Sequence, residues 1–219
     1  VRVVGRRRSA RAGAVRVSPR LLPLAIVDGL SLGDAHRSLL RPDEVVTCPD
    51  GVPRRLPRYF YQVDTWAQAL ETRLTENFSL WEFIDVDLYE PDLLRQYPRY
   101  VPCAVTLLAA HLEIFRDEVS ETVHIAANGG YRSPAHRRST PGSSHAWATA
   151  ANIYRVGSDY MDTRERIEKF NGIAARLLPG IWMRPYGHVP GSVDDHIHLD
   201  VGYAVLTPHE LPPAGIPAV

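Results

Sequence analysis

Near the C-terminal end of this 219-residue chain, His196 and His198 stand one residue apart, preceded by Asp194 and Asp195 and followed by Asp200. Side chains alternate faces along a strand, so histidines at i and i+2 point the same way. Imidazole is a preferred zinc ligand, and a third histidine from a distant segment can close a metal site with such a pair. His145, in the run Ser143-Ser144-His145, is the candidate, with Asn152 further along the same stretch. His124, inside an apolar run, reads as a core or edge histidine. His36, His111, His188 and His209 show no usable spacing.

The elements that must position these residues follow from periodicity. Val105, Leu108, Ala109, Leu112 and Phe115 form an apolar stripe that predicts a helix over 102–119, with Pro102 in its first turn. Ile167, Phe170, Ile173, Ala174 and Leu177 predict a second helix over 164–178. Phe60, Val63, Trp66, Ala67, Leu70 and Leu74 keep helical spacing and predict a short amphipathic helix over 59–74. Ser79 is expected to cap a brief helical turn before Phe83. Strands are predicted at 45–48, 123–127 and 181–184, with a final strand or hairpin over 196–205, and 136–144 reads as loop. The resulting fold class is α+β, with helices packed on a small antiparallel sheet. His145 and Asn152 have opposite parity, so a bend between them is required for both to face one point.

Three segments, in order, carry a resemblance. The first is Gly130-Tyr131-Arg132-Ser133-Pro134-Ala135-His136. The second is Ser143-Ser144-His145-Ala146-Trp147-Ala148-Thr149-Ala150-Ala151-Asn152. The third is Asp195-His196-Ile197-His198. Together they resemble the zinc D-Ala-D-Ala carboxypeptidases and murein endopeptidases of peptidase family M15. The first matches the family's G-Y-R-S opening, the second its S-x-H-x-x-G-x-A-x-D motif, and the third its acidic and histidine ending. Asn77-Phe78-Ser79-Leu80-Trp81-Glu82-Phe83 looks like the start of the same domain. The resemblance covers roughly 75–206 and implies a Hedgehog/DD-peptidase-like fold. The chain departs from the pattern at two positions: Ala148 stands where the family has Gly, and Asn152 where it has Asp.

The resemblance implies a zinc ion held by His145, Asn152 and His198, with one position left for water. Asp195 or His196 is the implied general base, and His196 is alternatively a transition-state stabiliser. Arg132 is implied to bind an anionic group such as a peptide C-terminus, because its planar fork suits a carboxylate. Ser143 is implied to hydrogen-bond substrate and Tyr131 to line the pocket. The amide at 152 removes the only fixed negative charge from the ligand set and weakens it as a zinc ligand. At 148, alanine resists a turn that needs a positive φ, where glycine is free. Three outcomes stay open: zinc through Asn152, completion by another acid such as Asp195, or a fold kept without catalysis.

Composition bounds the rest. The chain carries 25 basic and 25 acidic residues, but residues 1–60 hold 12 arginines against 5 acids. A basic Arg/Pro-rich segment is therefore expected over 1–58, partly disordered, with an anionic partner open to it and nucleic acid not expected. A peptidase-like domain is expected over 59–210, followed by a tail at 211–219. Cys48 and Cys103 read as two thiols rather than a disulfide or metal pair. No membrane span is predicted, and the apolar run from Leu21 to Val27 does not make a secretory leader. The resemblance points to the cell envelope. The expected function is a zinc-dependent peptidase hydrolysing D-amino-acid-containing murein peptides, as carboxypeptidase or endopeptidase. The alternative is a catalytically weak or inactive relative acting as a wall-binding or structural module in a larger assembly.

Overall fold

Asn152 and His198 lie on a sheet whose strands come from distant parts of the chain. The structure, a computed structural model, describes residues 24–189 and 194–209. The arginine-rich run before residue 24 and the tail at 211–219 lie outside the described residues.

In chain order the elements are β1 (Ala25–Asp28), α1 (Asp34–Leu40), β2 (Val45–Thr47), β3 (Pro53–Arg55), β4 (Tyr59–Val63) and α2 (Trp66–Glu71). There follow α3 (Trp81–Ile84), α4 (Asp92–Arg95), β5 (Arg99–Pro102), α5 (Val105–Val119) and β6 (Val123–Ile125). The remainder comprises β7 (Ala150–Val156), β8 (Asp159–Tyr160), α6 (Arg164–Leu177), β9 (Trp182–Met183) and β10 (Ile197–Asp200). Helices on small antiparallel sheets make this an α+β protein. No described helix is long and apolar enough to cross a membrane.

One sheet has the order β6-β7-β10-β9, with β8 pairing β7. Its register places Ile197 opposite Ile153 and Leu199 opposite Ala151. These four side chains are buried on one face, against the stripes of α5 and α6. Val105, Leu108, Ala109, Leu112 and Phe115 are buried along α5, and Ile167, Phe170 and Ala174 along α6. Phe115 and Phe170 meet edge to face, 6.5 Å apart, where the helices pack. Each buried Val, Leu, Ile or Phe side chain among these stabilises the fold by about 1.5–3 kcal/mol. Alternation sends the residues between them, Asn152 and His198, to the opposite face.

The second sheet, β1-β4-β5, packs Val27, Phe60 and Tyr100 with Leu32, Leu40 and Leu94. Gly29 lies so close to its neighbours that a Cβ would come within 2.6 Å of Pro42 Cβ and 2.7 Å of the Phe60 ring. Only glycine fits there.

Two expectations are corrected. The helix predicted over 59–74 is a strand, β4, followed by the short helix α2. Tyr59-Phe60-Tyr61-Gln62-Val63 is an aromatic and β-branched run that favours a strand paired on both edges. Thr65 then caps α2, its hydroxyl accepting the Gln68 amide at 3.0 Å. The domain boundary expected at 58 also fails, because β1 pairs with β4 across it. Residues 24–58 join the folded body: Val46, Cys48 and Leu56 pack on Ala146 and Trp147, and the Trp147 indole donates to the Arg55 carbonyl at 2.8 Å.

Smaller differences have local causes. Pro102 ends β5 instead of opening α5. Ser79 does not cap α3; Glu82 reaches back to accept the Ser79 amide at 2.8 Å. Cys48 and Cys103 are both buried free thiols, and burial pushes the Cys103 thiol up to about 12.

Candidate functional site

The bend required between His145 and Asn152 is a 3-10 turn, Ser144–Trp147, closed by Ala148 in the left-handed conformation at φ 56° and ψ 36°. The Ala148 amide donates to the His145 carbonyl at 3.1 Å, after which β7 begins. A left-handed alanine costs about 1 kcal/mol that glycine avoids. The turn places His145 inside the molecule and Asn152 on the outer face of β7, directly opposite His198.

His145 is 2% exposed, and its Nδ1 lies 2.7 Å from the Gly130 carbonyl. A carbonyl only accepts, so Nδ1 carries the proton and Nε2 keeps the lone pair. Burial, with smaller contributions from Arg132 and His198, holds the imidazole well below its ordinary pKa. It is therefore neutral, the form that ligates metals. The rings of His145 and His198 are 5.2 Å apart. His198 Nδ1 in turn lies 2.7 Å from Asn152 Oδ1, so the second and third candidate donors touch.

His196 is engaged at both nitrogens. Arg184 Nη2 donates to its Nε2 at 2.9 Å, so Nδ1 carries the proton and donates to Asp195 Oδ1 at 2.6 Å. Burial outweighs the Asp195 contact and keeps this imidazole below its ordinary pKa. Its free lone pair is covered by Arg184. Asp195 is largely exposed and keeps Oδ2 without a donor among the described residues.

Arg132 is half-buried beside His145, its amide donating to the His145 carbonyl at 3.3 Å. Its guanidinium has no ion-pair partner among the described residues, and its Nε is buried without a hydrogen bond. Burial lowers its pKa, while Glu90 and Asp87 oppose this from beyond contact. Glu90 holds the loop below, its Oε2 accepting the Ser133 amide at 3.2 Å.

A cleft of about 620 Å³ opens beside His198, walled by Ser143, Trp182, His188, Asp200 and the β2–β3 turn at Pro49 and Asp50. Ser143 makes no capping bond with its hydroxyl. Tyr131, expected in the pocket wall, is instead 5% exposed and belongs to the core, lining a small interior cavity with Glu90 and Arg99. His124 sits in a separate cleft at the β6 edge and accepts from Arg155 Nη2 at 2.9 Å.

Sequence reasoning missed Asp200, Ser144 and Arg184. Asp200 Oδ2 accepts the Ser144 hydroxyl at 2.6 Å, and Oδ1 accepts the Gly202 amide at 2.7 Å. Burial raises the Asp200 carboxyl, and His198, Ser144 and the Gly202 amide outweigh it to hold the group below its ordinary value. The i+2 position after His198 was the available signal for Asp200. Nothing in the spacing marked Arg184.

The donor chemistry fits a zinc-type cation through His145, Asn152 and His198, though without a fixed negative charge. Among the described residues no three His, Cys, Asp or Glu side chains group as a metal site. A scan against protein-family models, a search of curated proteins and a search of solved structures each found no match.

Proposed function

We propose that this chain is a zinc-dependent peptidase with a Hedgehog/DD-peptidase-like fold, acting on D-amino-acid-containing murein peptides. The observation that carries the reading is the contact of His198 with both His145 and Asn152, next to Arg132, whose guanidinium has no ion-pair partner among the described residues. A half-buried cation without a protein acceptor is an anion site, and a peptide carboxylate satisfies it in bidentate fashion. When bound through His145, Asn152 and His198, zinc supplies Lewis acidity to the scissile carbonyl and its attacking water.

The chain's own residues do the rest. Arg132 fixes the peptide by its carboxylate, and Ser143 offers a hydroxyl in the cleft. Asp195 Oδ2 is the proton acceptor, since the lone pair of His196 is covered by Arg184. His196 positions Asp195 through Oδ1.

A second reading is favoured by one observation. Asn152 Oδ1 already accepts from His198, and no carboxylate stands in the ligand set, so a module that binds such peptides without cutting them has the same geometry. Metal analysis of purified protein, alongside hydrolysis of a murein pentapeptide, separates the two. Stoichiometric zinc and D-alanine release, both lost in His145→Ala, support the peptidase. Absence of both in the wild type, with gain of both in Asn152→Asp, sinks it.

A further inference from the structure

We infer that Asp200 is a positioning carboxylate that restores to the histidine cluster the negative charge missing at Asn152. The inference rests on the proposed zinc site and assigns a role to a residue outside its three donors.

The geometry starts at His198. One ring nitrogen, Nδ1, faces Asn152 Oδ1 at 2.7 Å, and the other, Nε2, faces Asp200 Oδ2 at 3.7 Å. The imidazole thus lies between a neutral amide oxygen and a carboxylate. Asp200 lies two residues after His198 on β10, so both side chains leave the same face of the strand. Its side chain is only 13% exposed. A carboxylate this enclosed is little screened by solvent, so its charge is felt by the ring.

Asp200 is also held from both sides. Ser144 Oγ donates to Oδ2 at 2.6 Å, and the Gly202 amide donates to Oδ1 at 2.7 Å. Ser144 is the immediate neighbour of His145, so one carboxylate ties the turn carrying His145 to the strand carrying His198. At 3.7 Å the carboxylate makes no hydrogen bond to the ring, but its negative charge beside the imidazole favours donation to a bound cation. With an aspartate at 152 that contribution would be secondary. With an amide there, Asp200 is the buried negative charge closest to His198 among the described contacts.

The test is a double-mutant cycle read in zinc affinity, by competition with a chromophoric chelator, on the full chain. Asp200→Asn is expected to weaken zinc binding about 10- to 100-fold in the wild-type background. In the Asn152→Asp background the same change is expected to cost no more than about 3-fold, because the charge is then supplied directly. Ser144→Ala, which leaves the carboxylate but removes one anchor, is expected to fall between Asp200→Asn and the wild type. Thermal unfolding without metal checks that each variant folds.

Zinc uptake by the wild type with equally tight binding by Asp200→Asn overturns the inference and leaves the peptidase reading standing. Equal losses in the two backgrounds overturn it as well, since Asp200 then positions without compensating. A wild type that takes up no zinc, while Asn152→Asp does, fails both, and shows that Asp200 does not replace the lost charge.

Discussion

The two sheets treat their polar groups in opposite ways. At the rim of β1-β4-β5, Arg58 grips Asp28 through Nε at 3.0 Å to each carboxylate oxygen, with both side chains in contact with solvent, and the buried Arg99 of β5 donates to the Ile84 and Arg95 carbonyls. The other face is plain apolar packing around Phe60. Beside β6-β7-β10-β9, His145 is buried and neutral, Arg132 has no acceptor among the described residues, and Ala148 holds a left-handed backbone. The first arrangement stabilises. The second retains cost, which a ligand can relieve.

Truncating the apolar centre of the first sheet tests this division most heavily. Phe60→Ala is expected to lower stability by about 3–5 kcal/mol, because the side chain is fully enclosed. Zinc content per folded molecule should stay at the wild-type value; a parallel loss would show that the sheets are not separable in this way.

Arg132→Ala acts in the other direction. Removing a half-buried cation that has no ion-pair partner among the described residues should leave thermal stability unchanged or raised. Apparent KM for a peptide with a free C-terminus is expected to rise by about 10- to 100-fold, the loss of one charge-assisted contact. An amidated peptide should show little change; an equal loss on both substrates would contradict the anion role.

Glycine substitutions give a smaller and sharper contrast. Ala148→Gly removes a buried methyl but relieves φ 56°, so it should change stability by less than about 1 kcal/mol. Ala151→Gly, in the ordinary strand next to it, should cost about 1.5 kcal/mol. Chemical denaturation of both variants settles the order, and equal costs would remove the argument for strain at 148.

The smallest effect is a pH dependence of the first sheet. The hydrogen bonds from Arg58 hold the Asp28 carboxyl below its ordinary 3.8. The unfolded chain therefore takes up the proton first on acidification. Stability from the pair is present above about pH 4 and is lost as pH falls further, and for so exposed a pair the effect is small. Asp28→Asn should flatten the acid limb of the stability curve; an unchanged limb would show that the pair contributes nothing.

Part of the second sheet was legible in the sequence. The stripes of α5 and α6 appear in their hydrophobic spacing and β6, β9 and β10 in their apolar runs, whereas the central strand β7 was not predicted, and only its pairing with β10 brings Asn152 to His198. The first sheet was misread for a physical reason. Phe60 and Val63 are three apart and fit a helical stripe, but in β4 they leave opposite faces of the strand into two separate cores, and only pairing with β1 and β5 decides between the two.

The sequence alone determined the residue types of the site: the imidazoles at 145, 196 and 198, the guanidinium at 132, the amide at 152 and the alanine where a turn needs positive φ. Those are chemical identities, and no fold alters them. The tertiary structure decided which atoms meet. His198 meets Asn152 through a register spanning 46 positions, Asp200 meets Ser144 across 56, and Arg184 caps His196 from a neighbouring loop. Such contacts arise from strand pairing and helix packing between segments far apart in the chain, which local spacing does not encode.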